Sequence, residues 1–127
     1  MVAAARAIAL QYGLHEMSIA ASVLDAVRAE SLHHGAHISR AGLRVGELSG
    51  VEIDSLRFCL DALVPGSGLE PLAFELEPVP WTRRCRACGA VFRVVDYQPG
   101  CVACASPLTD PEAGDQLEIS FVELEES

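Results

Sequence analysis

The fold class predicted by the sequence is α+β: a small two-layer domain of two helices on a three-stranded sheet, with an inserted zinc-ribbon module. Three observations predict it. Apolar residues recur at helical spacing in two segments, and in three others they alternate with polar ones. Between the second and third alternating segments, residues 81–112 change composition, rich in Cys and Arg and then in Pro, Gly and Asp, and hold two Cys-x-x-Cys pairs. A chain of 127 residues has room for one modest core, so the module is expected to be a satellite of a single main domain.

The first fourteen residues, MVAAARAIALQYGL, carry one arginine and a short apolar run but no charged n-region and no convincing cleavage site. Residues 1–14 are therefore expected to be an extension or a misassigned start rather than a secretory signal. From His15 to His34, the residues Met17, Ala20, Ala21, Leu24 and Val27 follow one helix face, and Gly35 ends the helix. Residues 37–48 place Leu43 and Val45 alternately with Arg44, a strand. Ser49 followed by Glu52 three residues on fits a capping box, with Leu48 and Ile53 as its hydrophobic staple. The second helix then shows Leu56, Cys59, Leu60 and Leu63 on its apolar face, and Pro65-Gly66-Ser67-Gly68 stops it. Cys59, with no partner motif around it, reads as a small buried hydrophobe. Leu72, Phe74 and Leu76 alternate with Ala73, Glu75 and Glu77, as Leu117, Ile119 and Phe121 do with Glu118 and Ser120, giving two strands with one wet face each. The main domain is thus expected to comprise residues 15–80 plus 113–127, and the zinc module residues 81–112.

Composition narrows the function. Nine basic residues, all arginine, against eighteen acidic ones give a formal net charge of -9, so a phosphate backbone would meet net repulsion. No apolar run approaches the length of a membrane span. Nucleic acid and membrane are therefore not expected as partners. Four of five cysteines fall in tight pairs, a pattern of intracellular metal binding rather than of a secreted disulfide framework, and the expected compartment is the cytoplasm. No nucleophile–base pair and no metal motif with an open coordination position stands out, so an enzyme is not expected.

Cys85 and Cys88, then Cys101 and Cys104, can bring four thiolates to the corners of one tetrahedron. Zinc suits that set: it favours sulfur, and four protein ligands leave no position for a substrate water, so the site is structural. Gly89 suits a tight first knuckle, whereas Ala105 at the matching place of the second is less permissive. Arg83, Arg84, Arg86 and Arg93 surround the pairs, either offsetting an anionic cluster, offering a docking surface, or forming an ordinary solvated face.

The string HEMSIA, the passage RVGELSGVEIDSLRF, and CRACGAVF followed by CVAC, in that order and spacing, resemble the HypA/HybF family of hydrogenase accessory proteins. The resemblance covers residues 15–127 and implies a nickel metallochaperone that binds Ni²⁺ reversibly and delivers it for maturation of nickel-iron hydrogenase. It implies as partners a HypB-type GTPase and the hydrogenase large subunit, and it places nickel at His15 and Glu16; a weak homo-oligomer is the one form of self-association expected. Imidazole is a good Ni²⁺ donor, and the first N–H groups of a helix have no intrahelical acceptor, so an amide there can be recruited without breaking a helix bond. Family members usually begin Met-His-Glu and are thought to add the terminal amine to the site. Here Leu14 stands in the methionine's place, which is expected if translation begins at position 14 on a leucine-type codon. Glu52 lies near the same end, with capping already explaining it, and His33, His34 and His37 flank Gly35 at the far end of the first helix. The rival reading is a zinc-ribbon module for nucleic-acid or protein interaction with the α+β domain as scaffold.

Overall fold

The structure is a computed structural model, and it describes residues 2–3, 16–98 and 100–125. His15 lies outside the described residues. In chain order the elements are β1 (Val2–Ala3), α1 (Glu16–His34), β2 (Ile38–Gly46), a 3₁₀ turn (Glu47–Ser49), α2 (Ile53–Leu63), β3 (Ala73–Val79), β4 (Thr82–Cys85), β5 (Val91–Arg93), β6 (Thr109–Ala113) and β7 (Leu117–Leu124). The main sheet runs β1-β7-β2-β3, with β2 parallel to β3 and antiparallel to β7. Its outermost member, Val2–Ala3, pairs only with Val122 and Glu123 of β7 and adds a short fourth strand to the three expected.

Helix α1 buries Ile19, Ala20, Val23, Leu24, Val27 and Glu30. The buried stripe is turned slightly from the one expected: Met17 is exposed and so is Ala21, while Ile19 and Val23 face the sheet. Gly35, at a φ of 60°, closes the helix in the left-handed conformation that suits a residue without Cβ. Helix α2 buries Leu56, Cys59 and Leu60, with Leu63 packed at the margin of the same core. Each of these leucines contributes about 1.5–3 kcal/mol by leaving water.

The start of α2 departs from the expected capping box. Ser49 belongs to the 3₁₀ turn and its Oγ accepts from Val51 N at 3.2 Å, and the N-cap is Glu52, whose carboxylate accepts from Asp54 N and Ser55 N at 3.3 and 2.7 Å. The chain needs Gly50, at a φ of 77°, to leave the 3₁₀ turn, and that reversal carries Ser49 out of reach of the helix.

Strand β7 also departs from simple alternation. Opposite β2 the register runs Gly42–Phe121 and then Leu43–Ile119, so Ser120 is an extra residue, and Ser39 of β2 is a second one. Each bulge shifts the parity by one. Leu117 and Ile119 before Ser120, and Val122 and Leu124 after it, therefore all enter the helix-covered core, and Phe121 moves to the opposite face. There it lies over Gly42, where a Cβ would collide with its ring, and Arg40 sits 5.1 Å from the ring centroid. The rest of that face is an ion-pair ladder, Arg40 with Glu75 and Glu123, and Arg44 with Glu77 and Glu118.

The second sheet, order β5-β4-β6, has its own small core of Cys85, Phe92, Val94 and Cys101, with Trp81 and Ala90 packed against it. Two features join it to the main sheet. Gly46 N and Leu48 N donate to Gln116 O and Gly114 O, and Gly114 presses so closely on Trp81 that a Cβ there would lie 2.6 Å from the Trp81 Cα. Glu47 Oε2 accepts from Arg93 Nη2 at 3.2 Å and faces Trp81 N at 3.5 Å.

Candidate metal centre

The β4–β5 turn carries Cys85 and Cys88 and the loop before β6 carries Cys101 and Cys104. Each pair is closed by one backbone bond of the same kind, Gly89 N to Cys85 O at 3.0 Å and Ala105 N to Cys101 O at 2.9 Å. The turns have the same conformation, since both Gly89 (φ 78°) and Ala105 (φ 66°) are left-handed. The second knuckle thus makes the turn its sequence resists.

All four Sγ atoms lie within 4.8 Å of one another, with Cys85–Cys104 and Cys88–Cys101 each at 3.6 Å. A tetrahedron with Zn–S bonds of about 2.3 Å has edges of roughly 3.8 Å, so these sulfurs fit one zinc ion with little adjustment. The fit extends to the amides. Cys88 N donates to Cys85 Sγ at 3.4 Å and Ala103 N to Cys101 Sγ at 3.3 Å, the contacts that stabilise a thiolate. The Cys88 N–H, with a smaller contribution from Ala87, draws the Cys85 thiol down to about 6, and the Cys104 N–H lowers Cys101 likewise. For Cys104 the Ser106 N–H also pulls downward, but the crowding of Cys85, Cys101 and Cys88 together with desolvation pushes it up to about 12. Without a cation the four sulfurs cannot all be ionised, and a divalent ion removes that conflict.

The ribbon arginines are all engaged. Arg84 forks onto Glu112 and reaches the Gly89 carbonyl of the first knuckle, Arg86 forks onto Asp110, Arg83 donates to Thr109 Oγ1 and O at 2.7 Å each, and Arg93 holds Glu47. Asp110 and Glu112 are held below the usual carboxylate range by Arg86 and Arg84 respectively. The pairs form a near-neutral collar, which leaves no arginine row to follow a phosphate backbone.

At the other end of the main domain, Glu16 is the first residue of α1, where an acid complements the helix's positive end. Its Oε1 accepts from Glu52 N at 3.2 Å, so the start of α1 is tied to the start of α2. The Glu52 carboxylate turns away, onto its own helix, and that contact with Ser55 and Asp54 lowers its pKa. His33, His34 and His37 do not converge. His34 Nε2 lies 3.2 Å from Glu30 Oε2, His33 stacks edge-on to His34, and His37 Nε2 is buried with no hydrogen-bond partner. Among the described residues the four cysteines are the one group of three or more potential ligands close enough to share an ion. Sequence reasoning passed over Glu47 and Gly114, which join the two sheets; only their distant partners reveal them.

A two-layer α+β domain bearing a four-cysteine ribbon between its last two main-sheet strands defines a class of metal-handling protein with one site closed by sulfur. The family model described as "Hydrogenase/urease nickel incorporation, metallochaperone, hypA" matches residues 14–124. The chain belongs to this family and is a nickel metallochaperone of hydrogenase maturation, not an enzyme. Relatives include the hydrogenase maturation factor HypA of Chlorobaculum parvum, 38% identical over 116 residues, covering 88% of this chain and 100% of that protein. The HypA of Prosthecochloris aestuarii is 40% identical over 114 residues, with the same coverage. Among solved structures, the solution structure of the Ni metallochaperone HypA from Helicobacter pylori shares the fold at a TM-score of 0.60 and 19% identity, covering 87% of this chain and 97% of that one. No helix among the described residues is long and apolar enough to cross a membrane.

Proposed function

We propose that this chain captures Ni²⁺ at the start of α1 through His15 and Glu16, and that Cys85, Cys88, Cys101 and Cys104 hold a structural zinc. The nickel is cargo, delivered in the cytoplasm to the large subunit of a nickel-iron hydrogenase with the help of a HypB-type GTPase. Residues 15–80 with 113–127 form the nickel-handling domain, and residues 81–112 form the zinc module. The observation that supports this reading most directly is the position of Glu16: a carboxylate at the first turn, one oxygen held by Glu52 N–H, inside a chain of the HypA family. That contact fixes where the acid points, and its neighbour His15 supplies the stronger nickel donor. The donor sets separate the two ions. Four thiolates suit a permanent zinc, while imidazole, backbone nitrogen and carboxylate suit a nickel ion that must leave again.

The test is Ni²⁺ titration calorimetry on zinc-loaded protein. His15→Ala is expected to weaken nickel binding by about 100-fold or more, Glu16→Gln by about 10-fold or less, and neither to change the zinc content, since they share no ligand with the cysteines. Nickel affinity unchanged by His15→Ala would refute the assignment.

A further inference from the structure

The two knuckles bury their sulfurs unequally, and in the same sense. Cys85 and Cys101 are 1% and 4% exposed, set into the small core with Phe92 and Val94, whereas Cys88 and Cys104 face solvent. The sequence around the outer pair offers no cover. Ala87 and Gly89 flank Cys88, and Ala103 and Ala105 flank Cys104, so neither has an immediate chain neighbour with a side chain larger than a methyl group. Sulfur reactivity follows access as much as thiolate character, and the inner pair also gives electron density to the Cys88 and Ala103 N–H groups.

We propose that Cys88 and Cys104 are a modification site: the open edge of the four-sulfur cluster, attacked first by soft electrophiles and by peroxides, with Cys85 and Cys101 as the protected half. The proposal rests on the reading that the four cysteines hold one zinc. With a peroxide the step is a two-electron oxidation. The exposed sulfur attacks one peroxide oxygen, the O–O bond breaks, hydroxide leaves, and the sulfur becomes a sulfenic acid. The buried sulfur 3.6 Å away across the gap, Cys101 for Cys88 or Cys85 for Cys104, then displaces the second hydroxide and forms a disulfide. One peroxide is reduced to two hydroxides, which take up protons to become water, and two thiolates become one disulfide. The site is left with two of its four donors, too few to retain the metal, so oxidation is coupled to loss of zinc.

The experiment uses the full chain carrying Cys59→Ala, loaded with zinc. Metal content is measured first, so a chain that binds no zinc defeats the underlying reading before any labelling begins. Sub-stoichiometric iodoacetamide followed by peptide mass mapping is expected to place about ten-fold more label on Cys88 and Cys104 than on Cys85 and Cys101. Hydrogen peroxide is expected to release zinc to a chromogenic chelator and to leave disulfides joining one knuckle to the other. On zinc-loaded protein, even labelling of all four cysteines, label arriving first on Cys85 or Cys101, or disulfides confined within a Cys-x-x-Cys pair would each overturn the proposal.

Discussion

At Ala105 a single residue carries a strain that the first knuckle avoids. Its φ of 66° matches the 78° of Gly89, but an L-residue with a Cβ is held there against a cost of about 1–2 kcal/mol. Replacing it with glycine removes the clash while loosening the unfolded chain by roughly 0.5–1 kcal/mol. Ala105→Gly is therefore expected to stabilise the metal-bound module by about 0.5 kcal/mol, read as an approximately two-fold tighter hold on zinc against a competing chelator. Gly89→Ala should shift the same titration the other way. Equal zinc retention in both variants would mean that the turns tolerate either residue. The four cysteines themselves were legible from spacing alone, because a Cys-x-x-Cys turn is local and carries its geometry within four residues. Phe121 was not. Its apparent place in the alternating pattern is reversed by the bulge at Ser120, and a bulge is set by the partner strand rather than by the strand that contains it.

The helices show the same division between local and distant causes. The existence of α1 and α2 and their Gly-rich ends were readable from period and punctuation, but the entry to α2 was misassigned by three residues. Ser49 and Glu52 satisfy the spacing of a capping box, yet Gly50 turns the chain between them, leaving Glu52 to cap the helix with its own side chain. The consequence is a pH dependence located at that cap. Hydrogen bonding to Ser55 and Asp54 lowers the folded pKa of Glu52 below its ordinary value of 4.5, so the folded state favours the charged form. Its contribution to stability is therefore complete above the unfolded pKa and is lost as pH falls through the folded one. In urea titrations followed by the helix signal, Glu52→Gln is expected to unfold at lower urea than the parent near pH 7, with the gap closing as pH falls through the lowered folded pKa, below which both side chains are neutral. A gap that persists undiminished in acid would assign the loss to packing instead. The same residue's N–H donates to Glu16, so the cap is tied to one residue of the proposed nickel site.

Across the whole molecule the decisive property is that there are two cores of very different size. The main domain buries α1, α2 and the inner face of its sheet in one continuous cluster, and among the described residues the buried apolar cluster of the ribbon is just Cys85, Phe92, Val94 and Cys101, two of them proposed zinc ligands. So small an apolar core cannot offset the ordering entropy of some thirty residues at about 1 kcal/mol or more each, and the metal must supply the difference. Removal of zinc is therefore expected to unfold the ribbon while leaving the main domain folded. The chain provides its own reporter, since Trp81, the sole tryptophan, packs against the ribbon core and against Tyr97 at 5.9 Å between ring centroids. A strong chelator should red-shift and solvent-expose the Trp81 fluorescence while the helical circular dichroism of α1 and α2 is largely retained, and zinc added back should reverse the change. The joint transmits little of this to the main domain. The Glu47–Arg93 pair is exposed and contributes at most about 1 kcal/mol, and the Gly46 and Leu48 N–H groups bond to Gln116 and Gly114, outside residues 81–112, which leaves the Gly114–Trp81 packing as the close contact of the joint. If helical signal and tryptophan environment were lost together at one chelator concentration, the two cores would be a single cooperative unit, and the zinc would be holding the nickel end of the molecule as well.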